Sequence, residues 1–314
     1  MVGAKGFEPS TLWSQTRCAT RLRYAPTSSY CNGSQWRFPN GIHVYHCAMS
    51  SQIPALVWLA PGQDFPPTSQ AWAADSPAPG LLAAGGELDV ASLRRAYSRG
   101  IFPWYSGTQP PLWWSPDPRM VLDVGQFHIH ASFKKTLQKF CRTPGCDIRF
   151  DTDFIQVIEA CSTSPRTGQS GTWIVPDMVA AYCNLHHAGL AHSVETWVDG
   201  QLVGGLYCVA LGKAVFGESM FSRSSEASKI SLAALVAFCR HHGIAQIDCQ
   251  QNTPHLAAMG AAEVSRALFL ERLALGLAQT APRWQFDRRH WQTLLPSKFA
   301  PASGWDSSAH HFTK

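Results

Sequence analysis

Three polar side chains stand in stretches that otherwise read as buried strand. Glu218 lies in AVFGESMFS, residues 214–222, among Val215, Phe216, Met220 and Phe221 and between Gly217 and Ser219. Taking a lone carboxylate out of water costs on the order of several kcal/mol. An Arg or Lys in a structural ion pair is the plainest way to offset that cost. Asp248 and Gln250 are the other two, in QIDCQ. Two residues apart on a strand, they share a face, with Ile247 and Cys249 on the other. A solvated strand end would explain them, but this strand follows a long apolar helix and reads as central. A carboxylate beside an amide can receive and orient an amine.

The elements that must hold these residues follow from pattern. In residues 49–115, rich in Pro, Gly and Trp, Asp89 caps a short helix running to Arg99, with Leu93 and Tyr97 on its inner face and Gly100 to stop it. PPLWWSPDP is expected to be irregular, because its prolines remove donors and hold their predecessors extended, and to be the hinge into a second domain. Beyond it come the strand RMVLDV, a helix HASFKKTLQKFC and a helix opened by Asp151 or Asp153. A further helix is closed by Gly189. Three strands then span 191–222, the first turn being the Asp199–Gly200 hairpin signal. A long amphipathic helix and the strand IAQIDCQ complete the pattern, giving an α+β fold with a central antiparallel meander.

Composition narrows the class. With 314 residues, 45% hydrophobic and 15% charged, the chain is long enough for two domains. No apolar run nears the roughly 18 residues that span a bilayer, so no membrane partner is expected. Ten cysteines without a CxxC pair read as buried thiols of a reducing compartment, which points to the cytoplasm. The net charge is +5, but Lys5, Arg17, Arg21, Arg23 and Arg37 against Glu8 put +4 of it in residues 1–48. A nucleic-acid partner would therefore be held by local patches. Residues 1–48 lack any period and are expected to be a disordered or non-native extension. GFEP can be encoded by a stretch containing TTCGAA, like a tRNA gene read antisense, and translation is expected to begin at Met49. Residues 299–314 read as a disordered tail. The histidines, including His186, His187, His241 and His242, fall at helix ends and form no set with acids, so neither a metal nor another cofactor is expected.

RGIFPWYS, LWWSPDPR, GTWI, LVGGLY, GESMFSR, ASK and IDCQ, in this order and spacing, closely resemble the leucyl/phenylalanyl-tRNA–protein transferases. The resemblance runs from about Phe65 to about Pro296. It implies a small N-terminal α/β domain over 49–115 and an N-acetyltransferase-like domain with a mostly antiparallel central sheet over 116–298. It implies transfer of Leu or Phe, with Met as a lesser donor, from aminoacyl-tRNA to the N-terminal Arg or Lys of a protein, marking that protein for degradation, by a monomer. Glu218 would then face the acceptor's basic N-terminal residue, so that its cation arrives with the substrate. Asp248 and Gln250 would position the acceptor α-amine, and Asp248 itself or the tRNA 2′-hydroxyl would pass on its proton. Leu206 and Met220 match donor-pocket positions, with Val215 and Phe216 as plausible neighbours; family members often carry Met where Leu206 stands, and some carry Phe at Cys239. Trp104 and Trp173 match tryptophans that stack on the tRNA's terminal adenosine. Independently of the resemblance, Lys134, Lys135, Lys139 and Arg142 form a basic stripe suited to tRNA phosphates.

Two rival readings have definite requirements. An acetyl-CoA-dependent acetyltransferase needs a glycine-rich turn whose backbone N–H groups face a pyrophosphate at a helix start, and FSRSSEASK contains no glycine. A non-catalytic tRNA-binding module explains the tryptophans and lysines but leaves Glu218, Asp248 and Gln250 without a purpose.

Overall fold

Short strands between prolines and glycines build the first sheet. The structure, a computed structural model, describes residues 55–107, 109–164 and 174–295. The proposed extension at 1–48, Trp173 and the tail at 299–314 lie outside them. β1 (Val57–Leu59), β2 (Leu81–Gly85), β3 (Phe102–Pro103) and β4 (Leu112–Trp114) form a four-stranded sheet in the order β1-β2-β4-β3. β1 and β2 are parallel and the other pairs antiparallel. The WW stretch is therefore strand, contrary to the sequence expectation. Its prolines flank Leu112, Trp113 and Trp114 without interrupting them, so all three keep their N–H groups. Trp113 Nε1–H donates to the Gly85 carbonyl at 2.8 Å, and Trp114 Nε1–H to that of Trp104 at 2.7 Å. Helix α1 (Val90–Ser98) begins at Asp89, whose carboxylate accepts from Ser92 N–H, and buries Leu93 and Tyr97.

The second sheet carries seven strands: β5 (Arg119–Asp123), β6 (Cys146–Phe150), β7 (Ala191–Val198), β8 (Gln201–Leu211), β9 (Ala214–Ser222), β10 (Gln246–Gln250) and β11 (Ala262–Val264), in the order β11-β5-β10-β9-β8-β7-β6. Every pair is antiparallel except β9 with β10. That pair is joined by α5 (Ala227–His241), since parallel neighbours need a crossover and not a tight turn. Asp199 and Gly200, at φ 48° and 74°, turn β7 into β8. One face of the sheet is covered by α2 (Ala131–Phe140) and α5, the other by α3 (Phe154–Thr163) and α4 (Pro176–His187). The small sheet and α1 join the α3–α4 side in one continuous core. α6 (Pro254–Ala258) and α7 (Arg266–Leu277) follow β10 and β11.

Close approach of α5 to the sheet rests on Gly204 of β8. A Cβ there would stand 2.5 Å from Ala227 Cβ and 2.8 Å from its carbonyl carbon, at the first turn of α5. Gly204→Ala is expected to push α5 off the sheet and destabilise the protein by about 1–3 kcal/mol, the usual cost of overpacking, as read by urea unfolding.

Candidate active site

Both polar clusters sit where a strand breaks its alternation. Across β8 and β9, Tyr207 pairs with Ser219 and Cys208 with Gly217, leaving Glu218 as an extra residue. Across β10 and β5, Asp248 pairs with Val121 and Gln250 with Met120, leaving Cys249 extra. Gln250 adopts φ 64°, a left-handed conformation that is uncommon in a non-glycine residue. Such bulges re-aim side chains next to sites. The simple two-residue alternation assumed for Asp248 and Gln250 thus does not describe this strand end. The bulges nevertheless bring all three residues together, because Gln250 Nε2–H donates to Glu218 Oε1 at 3.0 Å.

Glu218 has no Arg or Lys partner among the described residues. Its other neighbours are two phenols: Tyr97 Oη lies 2.7 Å from Oε1 and Tyr182 Oη 3.0 Å from Oε2. The phenols also hydrogen-bond one another. Three O···O contacts form this ring, and two phenols supply only two protons. Both phenols are placed to donate to the carboxyl; with a third proton on Glu218 the ring closes, Oε2–H then donating to Tyr182, Tyr182 to Tyr97 and Tyr97 to Oε1. Burial pushes the carboxyl's pKa up to about 8, with Asp248 pushing the same way and the hydrogen bonds from Tyr97, Tyr182 and Gln250 opposing. The protonated form is therefore favoured at pH 7. Glu195 of β7, equally buried, is handled differently: it accepts from Thr152 N–H, Asp153 N–H, Ser193 Oγ–H and Trp197 Nε1–H at 2.7–2.9 Å. Tyr97 and Tyr182 are the residues the sequence reading missed as site members, both having the look of plain core aromatics. The signal for the bulge was present in Gly217, an isolated glycine inside a strand pattern.

The ion pair expected at Glu218 belongs instead to Asp248. Arg119 Nε–H and Nη2–H reach its two carboxylate oxygens at 2.8 and 2.7 Å. The guanidinium is 1% exposed and lies between the Phe102 and Phe269 rings, 4.7 and 4.6 Å from their centroids. Asp248 Oδ1 also accepts the Gln250 backbone N–H at 2.9 Å. Held in this way, Asp248 fixes the Gln250 backbone. Gln250 Nε2 is spent on Glu218, so Oε1 is the part of that amide left to meet a donor.

Of the residues expected to line a donor pocket, Leu206, Val215 and Met220 are buried in one cluster on the α5 side, together with Cys239 and Ile247. Leu206 pairs directly across from Met220. Phe216 falls on the other side of the sheet, its ring 5.0 Å from that of Tyr97, so the structure does not bring it to the other three. The bulge at Glu218 is what lets Val215 and Met220, five residues apart, reach the same cluster. Trp104 is buried at 3% exposure, edge-on to Trp114 at 5.3 Å, and its indole N–H finds no partner among the described residues. Its face is covered, so stacking on a base requires a neighbour to move. Lys134, Lys135 and Lys139 stand exposed on α2, with exposed Arg142 just beyond its end. The start of α5 is occupied by Glu226, whose carboxylate holds Lys229 Nζ at 2.9 Å, and an acid there repels a pyrophosphate.

Comparison with known proteins bears on the whole assembly. Residues 121–274 match the family model described as leucyl/phenylalanyl-tRNA protein transferase, and residues 86–117 that of its N-terminal domain. A protein of Albidiferax ferrireducens named leucyl/phenylalanyl-tRNA–protein transferase is 73% identical over 247 residues, 79% of this chain and 97% of its own length. The chain belongs to this family. Likewise named proteins of Polaromonas sp. and Burkholderia pseudomallei are 61% and 53% identical, covering 77% and 76% of this chain and 94% and 93% of theirs. A solved structure of a conserved Staphylococcus epidermidis protein of unknown function aligns with a TM-score of 0.29 at 12% identity over 59% of this chain and 68% of that one, too slight a likeness to bear on the fold.

A neutral Glu218 has a consequence for stability. Its folded pKa of about 8 exceeds the ordinary 4.5, so between those pH values the native state holds a proton that the unfolded chain has lost. Stability from this residue therefore falls as pH rises across that window, by up to about 1.4 kcal/mol per pH unit. Glu218→Gln supplies an amide where the neutral carboxyl stood. The variant is expected to match the wild type near pH 5 in urea unfolding and to exceed it increasingly toward pH 8.

Proposed function

We propose that this family member transfers Leu or Phe, and to some extent Met, from aminoacyl-tRNA to the N-terminal Arg or Lys of a protein. The observation that carries this reading is Glu218: a buried carboxyl, held neutral, with hydrogen-bonding neighbours on every side and no cation. A basic N-terminal side chain entering beside it provides the missing partner, and Glu218 ionises as that partner arrives. Acidic or neutral N-termini offer no such exchange and are rejected.

The acceptor α-amine attacks the ester carbonyl of the aminoacyl group. A C–N bond forms, the ester C–O bond to the terminal ribose breaks, and the amine's proton finally neutralises the departing ribose oxygen. Gln250 Oε1 accepts from the amine and aims its lone pair. Asp248, locked by Arg119, is a positioning residue that acts through Gln250, which leaves the 2′-hydroxyl of the terminal ribose as the better proton carrier. The ester is already activated, so orientation supplies much of the rate. Leu206, Val215 and Met220 receive the donor side chain, the unbranched thioether adapting to Leu or Phe. Trp104, whose orphan indole N–H suits a ligand acceptor, joins Trp173 in holding the terminal adenosine, with stacking worth roughly 1–3 kcal/mol per base. Lys134, Lys135, Lys139 and Arg142 meet backbone phosphates. We read the chain as a cytoplasmic monomer with a small domain over 49–115 and an N-acetyltransferase-like domain over 116–298; among the described residues no helix is long and apolar enough to cross a membrane.

The reading is tested with Leu-tRNA and two labelled peptides, one beginning with Arg and one with Glu. Transfer to the Arg peptide is expected to exceed transfer to the Glu peptide at least a hundredfold, with Glu218→Gln losing most of that ratio. Equal transfer to both by the wild type, or none to either with tRNA still bound, would contradict it.

A further inference from the structure

Away from Glu218, the structure gathers three histidines that sequence separation hid. His241 and His242 end α5, and His290 lies in the 3-10 turn Arg288–Thr293. Their ring centroids are 4.5 Å apart for His241 and His290, 4.9 Å for His241 and His242, and 5.4 Å for His242 and His290. One nitrogen from each lies within 4.8 Å of the others. Sequence reading expected the histidines to form no set with acids; this set contains none.

We propose that His241, His242 and His290 bind a divalent transition-metal ion of imidazole preference, Zn2+ foremost, that ties the 288–293 turn to the end of α5. Zinc–nitrogen bonds of about 2.0–2.1 Å in tetrahedral array put ligand nitrogens about 3.3 Å apart. The rings need to close by about 1.5 Å or less, and His241 is exposed and His242 half-buried, free to turn. The environment favours the ion, since the C-terminal end of a helix attracts cations. Phe238 and Phe286 shield the site, 5.7 and 5.2 Å from the His290 ring.

Two features oppose binding and shape it. Lys213 lies near His242, which selects for ions that hold imidazole most strongly. His290 Nδ1 accepts the Asp287 backbone N–H at 3.2 Å, so the free imidazole carries its proton on Nε2. Ligation through Nε2 moves that proton to Nδ1 and gives up this long bond, with no net proton released. Three protein nitrogens leave one position for water.

The test uses the untagged full chain, stripped with chelator and titrated with Zn2+ by calorimetry, with Co2+ as a spectroscopic probe. The wild type is expected to bind one Zn2+ that both His290→Ala and the double variant His241→Ala/His242→Ala weaken at least about tenfold, while His255→Ala keeps it. Co2+ should show the visible absorption of a four- or five-coordinate ion, and Zn2+ should raise the melting temperature of the wild type but not of the double variant. The double variant alters residues at the surface, so it decides the matter if His290→Ala fails to fold. No Zn2+ bound, or the same affinity in the double variant, would overturn the proposal.

Discussion

A carboxyl group buried against two phenols and an amide, with no cation beside it among the described residues, is the constraint around which the site is arranged. Were Glu218 charged, burial in that setting would cost several kcal/mol on the order quoted for isolated ions. Holding a proton removes most of the cost and closes the hydrogen-bond ring through Tyr97 and Tyr182. The ring draws on three distant parts of the chain. Tyr97 comes from α1, Tyr182 from α4 and Glu218 from β9, so the small sheet's helix and the central sheet are joined at the functional group itself.

Two buried acids of the central sheet thus have different partners. Arg119 grips both oxygens of Asp248, and two aromatic rings flank Arg119. Glu218 is neutral because nothing does the same for it, and the nearby Asp248 charge adds to the effect of burial. Asp248 fixes the Gln250 backbone, and Glu218 is left without a cation among the described residues.

Much of this layout was legible in the residues. Asp89 as a cap, Asp153 as one of the two caps offered for the third helix, the Asp199–Gly200 turn and the order from β7 to β10 follow from local chemistry that tertiary packing did not override. Glu218, Asp248 and Gln250 stood out because polar residues in apolar strands need a reason. What the sequence hid was set by geometry across the chain. The bulges at Glu218 and Cys249 shift the two-residue alternation, so Phe216 ends on the far side of the sheet from Val215 and Met220. Tyr97 and Tyr182 look like core until their hydroxyls are followed to a residue 121 and 36 positions away. The Leu112–Trp114 strand was masked by prolines that turned out to flank it, and His290 carried no mark that would pair it with His241 and His242.

The central claim is that Glu218 trades its proton for the acceptor's cation. It is tested most directly by calorimetry of a des-amino-arginyl peptide, which keeps the guanidinium but lacks the α-amine, binding at pH 7 in buffers of different ionisation enthalpy. Close to one proton released per peptide bound, and none with Glu218→Gln, is the expected result. Binding of equal affinity with no proton released by the wild type would mean that Glu218 is already charged or does not meet the cation, and the account would fail.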